Sequence, residues 1–232
     1  MPLLHLICVA AAILFCSPGA RAAGEPVDLV LILAIDVSGS ITDERFRIQM
    51  RGYADAFRAP EVIAAIQSGP AQAISVTLVE WAGPAHQSQV LEWTRLDGEA
   101  SARRFASALS ETPRAFASQT AIGSAIEFCT RILDKVDPGT RRVIDISGDG
   151  SNNAGSEPDG VRDSAVAQGI VINGLPIEGS EDNVAAYYRA HVIGGHGSFV
   201  VVVRDIDGFT RALIKKLVLE IAGRTALHDP PS

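Results

Sequence analysis

Residues 36–40 read Asp-Val-Ser-Gly-Ser, one carboxylate and two hydroxyls at alternate positions, directly after the apolar run DLVLILAI at 28–35. In an extended segment residues i, i+2 and i+4 project to the same side, so Asp36, Ser38 and Ser40 can face a single point as the chain turns. A set made only of oxygen donors suits a hard cation such as Mg²⁺, which keeps several of its waters. A second carboxylate, Asp149, follows another apolar run in the stretch Ser147-Gly148-Asp149-Gly150. If the two runs are neighbouring parallel strands, Asp36 and Asp149 converge. Two buried carboxylates are costly unless a cation or a proton compensates them. Two carboxylates with neutral hydroxyls do not over-neutralise a divalent ion, which leaves a position open to an acidic group from outside. The same residues also fit ordinary turn chemistry, with Ser40 or Thr42 capping the next helix.

The elements that must position these residues alternate along the chain. The run 28–35 has the continuous apolar character of a strand buried on both faces. From Thr42 the spacing turns helical, with Phe46, Met50, Tyr53, Ala54 and Phe57 on one stripe. AISVTLVEWAG (73–83) and QVLEWTRL (89–96) predict a hairpin anchored by Trp81 and Trp93, and a short helix with Ala102, Phe105, Ala106 and Leu109 inward follows. Ile122, Ala125, Ile126, Cys129, Ile132, Leu133 and Val136 repeat at three and four residues, which predicts a helix over 118–136 ended by Asp137-Pro138-Gly139. Strands at 141–147, 170–177 and 198–203 alternate with helices at 159–168, 183–192 and 208–222. This order predicts one doubly wound α/β domain: a mostly parallel six-stranded sheet with one antiparallel strand and helices on both faces. In such a sheet the binding crevice lies beyond the carboxyl ends of the strands.

Composition excludes several function classes. The chain has 232 residues, 47% hydrophobic and 20% charged, enough for a single core. The apolar run 3–16 is too short to span a bilayer, and Ala20-Arg21-Ala22 has the small-x-small pattern of a signal-peptidase site. Residues 1–22 are therefore expected to be a signal peptide, making the protein exported, periplasmic or secreted, with no membrane insertion afterwards. Cys8 and Cys16 leave with that segment, and Cys129 remains as a core thiol. Removing Arg21 takes 20 basic residues to 19 against 27 acidic ones, a net charge of −8. Such a surface disfavours nucleic acid and anionic membranes as partners. The tail 224–232 is expected to be frayed.

Three segments in order, DVSGS (36–40), SQTAIGSAI (118–126) and ISGDG (146–150), resemble the von Willebrand factor type A (VWA) domain family. Its metal-ion-dependent adhesion site, or MIDAS, begins Asp-x-Ser-x-Ser, adds a Thr that opens a later helix, and ends with an Asp after the fourth strand. The resemblance covers residues 27–223 and is near to an exported bacterial VWA-like group. It implies that Asp36, Ser38, Ser40, Thr120 and Asp149 hold Mg²⁺ or Mn²⁺, some directly and some through water. It also implies a binding module, not an enzyme, whose partner is a protein or ligand offering an Asp or Glu carboxylate. Gly148 departs from the family's commoner Thr-Asp-Gly, and Asn152, Asn153 and Glu157 in the polar loop 148–160 are expected to add contacts.

Two alternatives use the same residues. DVSGS and GDGSNN partly resemble haloacid-dehalogenase-type phosphotransferases, which would make Asp36 a nucleophile. However, Ser38 and Asn153 stand where that chemistry needs acidic groups. The other alternative is a structural or assembly module with no metal held. Asp145, inside an apolar strand, is expected to pair with a basic side chain or sit at an edge. His191 and His196 read as helix-end and loop residues, and EGSED (178–182) as a solvated loop on the rim.

Overall fold

Eight consecutive fully buried residues, Leu29–Asp36, form the central strand β1 of the computed structural model. The structure describes residues 25–134, 140–205 and 208–223. The expected signal segment, the turn at 137–139 and the tail lie outside the described residues.

Strand β1 is buried on both faces because helices cover both. Leu29, Leu31, Leu33 and Ile35 pack with helices α1 (Asp43–Arg58), α2 (Pro60–Ile66), α3 (Glu99–Glu111) and α7 (Phe209–Ala222). Val30, Ile32 and Ala34 pack on the other side with α4 (Ile122–Leu133), α5 (Pro158–Ala167) and α6 (Val184–Tyr187). Each fully buried Leu or Ile stabilises the fold by roughly 1.5–3 kcal/mol. The remaining strands are β2 (Ile74–Trp81), β3 (Gln87–Leu96), β4 (Arg141–Gly148) and β5 (Ile170–Pro176). They lie in the order β3-β2-β1-β4-β5, with only β3 antiparallel. Because β1 pairs with β4 in parallel, Ile35 opposite Ser147, Asp36 and Asp149 leave the sheet side by side. Trp81 is wholly buried and Trp93 packs beside the same core, as the hairpin reading expects.

The expected sixth strand is the main correction. Residues 198–203 lie parallel to β5 but touch it only as bridges, at Gly174–Val200 and Ile177–Val203. The bonds Gly174 N to Phe199 O, Val201 N to Gly174 O, Val203 N to Pro176 O and Glu178 N to Val203 O all form. The missing rung is the one that Pro176 would donate, and proline has no N–H. The regular sheet therefore has five strands among the described residues.

Other differences have local causes. The helix expected from 118 begins at Ile122, because the preceding backbone is taken up by neighbouring loops. Ser118 O accepts from Gly39 N, and Ala121 N donates to Ala82 O. The first helix ends at Arg58, and a short helix not expected from the sequence, α2, starts at Pro60, a favourable first helical residue. The 183–192 helix is a single α turn followed by a π turn, Tyr188–Val192, closed by Ile193 N donating to Tyr188 O at 3.0 Å. Such insertions often mark functional positions. On that turn His191 sits 2.9 Å from Asp159 Oδ2, so it is engaged as a helix-end residue.

Asp145 does find its basic partner. At the middle of β4 it lies 2.6 Å from Nζ of Lys216, on α7. Lys216 also contacts Glu220, and all three side chains are wholly buried.

Candidate metal centre

The turn after β1 is held by its own side chains and by Arg114 from the segment after α3. Asp36 Oδ1 accepts from Ser38 N at 2.7 Å, which bends the strand end so that Ser38 and Ser40 face the same side. Arg114 donates to the carbonyls of Val37 and Ser38, both at 2.8 Å, and pairs with Asp43 at 3.1 Å. Thr42, rather than Ser40, caps α1 by accepting from Arg45 N at 3.2 Å. That leaves the Ser40 hydroxyl free to face the site.

Four of the five expected ligands form one chain of contacts. Ser38 Oγ and Ser40 Oγ lie 3.1 Å apart, and Ser40 Oγ donates to Asp149 Oδ1 at 2.6 Å. Thr120 is buried, but no bond of its hydroxyl to the other four occurs among the described residues. Its backbone N donates to Asn153 Oδ1 at 2.9 Å, and its carbonyl accepts from Asn153 N at 2.9 Å. Asn152 Oδ1 accepts from Gly123 N at 3.4 Å. Asn152 and Asn153 thus do add contacts, tying the loop after β4 to the start of α4, whereas Glu157 simply precedes α5.

The two carboxylates differ in their surroundings. Both side chains are fully buried. Asp149 is satisfied on both oxygens, since Oδ2 accepts from Ser180 Oγ at 2.6 Å and from Arg45 Nη1 at 3.1 Å. Asp36 Oδ2 has no partner among the described residues. Burial pushes the Asp36 carboxyl up to about 7, the bonds from Ser38 oppose the rise, and the Asp149 charge adds to it. An orphaned buried oxygen in an all-oxygen set is what a missing hard cation would leave. No group of three or more His, Cys, Asp or Glu side chains able to hold a metal occurs among the described residues, so an ion at this rim would have to draw its other donors from the hydroxyls. The residues present fit a divalent ion.

Gly148 has a steric reason here. A Cβ at this position would lie 2.6 Å from the Tyr188 hydroxyl and 2.8 Å from Asp36 Oδ2. Tyr188 is wholly buried and its hydroxyl is also without a partner among the described residues. Gly148→Ala is therefore expected to destabilise the protein by about 1–3 kcal/mol through overpacking. Denaturant unfolding measures this, with an unchanged midpoint as the contrary result.

Three residues beside the expected ligands carry no signal in the local sequence pattern: Arg45, Ser180 and Tyr188. Ser180 belongs to the segment read as a solvated loop. It reaches Asp149 because Gly179 takes a left-handed conformation, φ 111°, that glycine favours. In the same loop Glu181 accepts from Ser151 N at 2.8 Å.

A family model described as "Protein of unknown function (DUF1194)" matches residues 26–225. The chain belongs to this family. Among solved structures, the DUF1194 chain is similar to proximal thread matrix protein 1 from the mussel byssus, described with a zinc-occupied MIDAS motif. That match has a TM-score of 0.59 and 15% identity, and covers 83% of this chain and 45% of that one. It is likewise similar to a von Willebrand factor type A protein from Catenulispora acidiphila, with TM-score 0.58, 15% identity and 84% and 43% coverage. A third match is the pilus adhesin SpaC from Lactobacillus rhamnosus GG, with TM-score 0.62, 13% identity and 85% and 30% coverage. The DUF1194 chain spans less than half the length of each. No curated protein matches its sequence. At such identities the likeness concerns the fold, which is that of a VWA domain.

Proposed function

We propose that this DUF1194 chain is an exported binding module that captures the carboxylate of a partner protein or ligand at a metal-dependent site. The observation that carries the reading is the meeting of Asp36, Ser38, Ser40 and Asp149 at one rim with one buried Asp36 oxygen unpartnered. In this reading Asp36, Ser38, Ser40, Thr120 and Asp149 hold Mg²⁺ or Mn²⁺, whose open coordination position takes an acidic side chain from outside. Ser38 and Ser40 supply neutral donors, so the chain does not over-neutralise the ion. Asn153 fixes the backbone that presents Thr120, and Arg114 fixes the loop that presents Ser38. The zinc-occupied MIDAS of the mussel protein and the adhesive role of SpaC support metal-dependent binding as the class of function.

Binding is favoured over phosphoryl transfer by the surroundings of Asp36. Ser38 occupies the general-acid position, and its hydroxyl lies in the Ser40–Asp149 chain, so that position offers no carboxyl to protonate a leaving group. Among the described residues no helix is long and apolar enough to cross a membrane.

Thermal melting tests the reading. Mg²⁺ or Mn²⁺ at one hundred times its dissociation constant is expected to add about 2.7 kcal/mol of stability, and chelator to remove it. Identical melting with ion and with chelator is the result that would overturn the assignment.

A further inference from the structure

The two carboxylates at the site are unequally compensated, and the cause is a residue of α1. Arg45 stands in the first turn of the helix, and its side chain is one-third exposed. Its Nη1 donates to Asp149 Oδ2 at 3.1 Å and also contacts Ser180 Oγ. Ser180 Oγ in turn donates to the same Asp149 oxygen at 2.6 Å. The nearby acidic Glu181 is engaged by the Ser151 amide instead. Asp149 is thus paired with a permanent cation, while Asp36 has none among the described residues.

We propose that Arg45 is a built-in counter-cation of this site, cancelling the Asp149 charge from the solvent side so that an anionic guest is needed to complete the site. The inference rests on the metal-dependent reading above. Two carboxylates and one guanidinium leave one net negative charge to meet the two positive charges of a divalent ion. The chain alone therefore holds the ion weakly, and the surplus positive charge favours a carboxylate over a neutral ligand. Without Arg45 the two carboxylates would balance the ion completely. The ion would then bind more tightly and have less need of a guest. Arg45 thus acts on the choice of partner through charge rather than as a ligand.

Titration with Mn²⁺, followed by electron paramagnetic resonance, tests this at low ionic strength. Arg45→Gln is expected to tighten Mn²⁺ binding about tenfold, a factor discounted for the partial exposure of the guanidinium. Arg45→Lys keeps the charge and is expected to stay nearer to the wild type. Arg204→Gln is the control: Arg204 flanks the same surface cleft as Arg45, is largely exposed, and makes no contact with Asp149. It is expected to change the affinity less than about twofold. Acetate, as a probe carboxylate, is expected to strengthen Mn²⁺ binding more in the wild type than in Arg45→Gln.

The sign of the change decides between roles. A residue that only orients Asp149 would weaken Mn²⁺ binding when replaced, so weaker or unchanged binding in Arg45→Gln overturns the inference. Equal gains from acetate in the two proteins would also overturn it. Absence of Mn²⁺ binding in the wild type as well as the variant would instead remove the metal reading on which it rests. Melting of the chelated variant, cooperative as in the wild type, shows that the comparison is between folded proteins.

Discussion

Lys216→Met is expected to destabilise the protein by about 3–5 kcal/mol, since it leaves buried carboxylates without their cation. Lys216 Nζ lies 2.6 Å from Asp145 Oδ1, contacts Glu220 Oε1, and stands 5.4 Å from the centre of the Phe199 ring. Asn173 adds a bond to Glu220 Oε1 at 3.1 Å. Burial pushes both carboxyls up, and Lys216 pulls both down; Glu220 comes to about 7, with the Asp145 charge adding to its rise. Removing Lys216 takes away the lowering influence, so both acids in the folded state bind protons more readily than before. The folded variant then holds protons that the unfolded chain releases, and the loss of stability grows as pH rises. At pH 5, where the acids can be neutral, the loss is expected to shrink. Urea unfolding of the variant at pH 5 and pH 8 measures both the size and the slope. A further change of Asp145 and Glu220 to Leu should recover much of the loss, because a buried ion cluster can be replaced by well-packed apolar groups. An equal loss at both pH values would contradict the assigned charge pairing.

Asp36→Asn is expected to act in opposite directions with and without metal. In chelator at pH 8, the wild type carries a buried carboxylate whose pKa stands at about 7 against an ordinary 3.8. Below 3.8 the group is protonated in both folded and unfolded chains and costs nothing. As pH rises from 3.8 to about 7, the unfolded chain loses its proton first and stability falls, reaching its full deficit above 7. Asn removes that titration, so the chelated variant should be more stable by roughly 2–4 kcal/mol at pH 8. Glu220 titrates in the same range but is present in both proteins and cancels. With Mn²⁺ the order reverses, because only the wild type gains from the ion. Melting curves at pH 8 with chelator and with Mn²⁺ show whether the order changes. If Asp36→Asn is the less stable protein under both conditions, Asp36 is a structural turn residue and not part of a metal site.

The parts legible in sequence were those set by local pattern. An apolar run that ends in Asp36 announces a strand buried on both faces with a carboxylate at its tip. The alternation through Ser38 and Ser40 then fixes which side chains share a direction. The pairing of β1 with β4, on which the approach of Asp36 to Asp149 depends, was only a condition in the sequence, because crossover handedness does not fix strand order; the structure supplies it. The side chains that tune the site were not legible, since their partners are distant in sequence. Arg45 and Asp149 are separated by 104 residues, and Ser180 and Asp149 by 31. Tyr188 meets Gly148 from 40 residues away in sequence, where a Cβ would lie 2.6 Å from its hydroxyl. Lys216 had a usable signal: it shares the stripe of Leu213, Leu217 and Ile221, and the buried Asp145 required a cation. The sixth strand failed for a reason also written in the chain, the absent N–H of Pro176.

Anomalous diffraction from a crystal of the wild-type protein grown with Mn²⁺ tests the metal site most directly. The expected result is one Mn²⁺ among the oxygens of Asp36, Ser38, Ser40, Thr120 and Asp149, each bound directly or through one water. Manganese absent from that rim, with the five side chains positioned as here, would contradict the assignment.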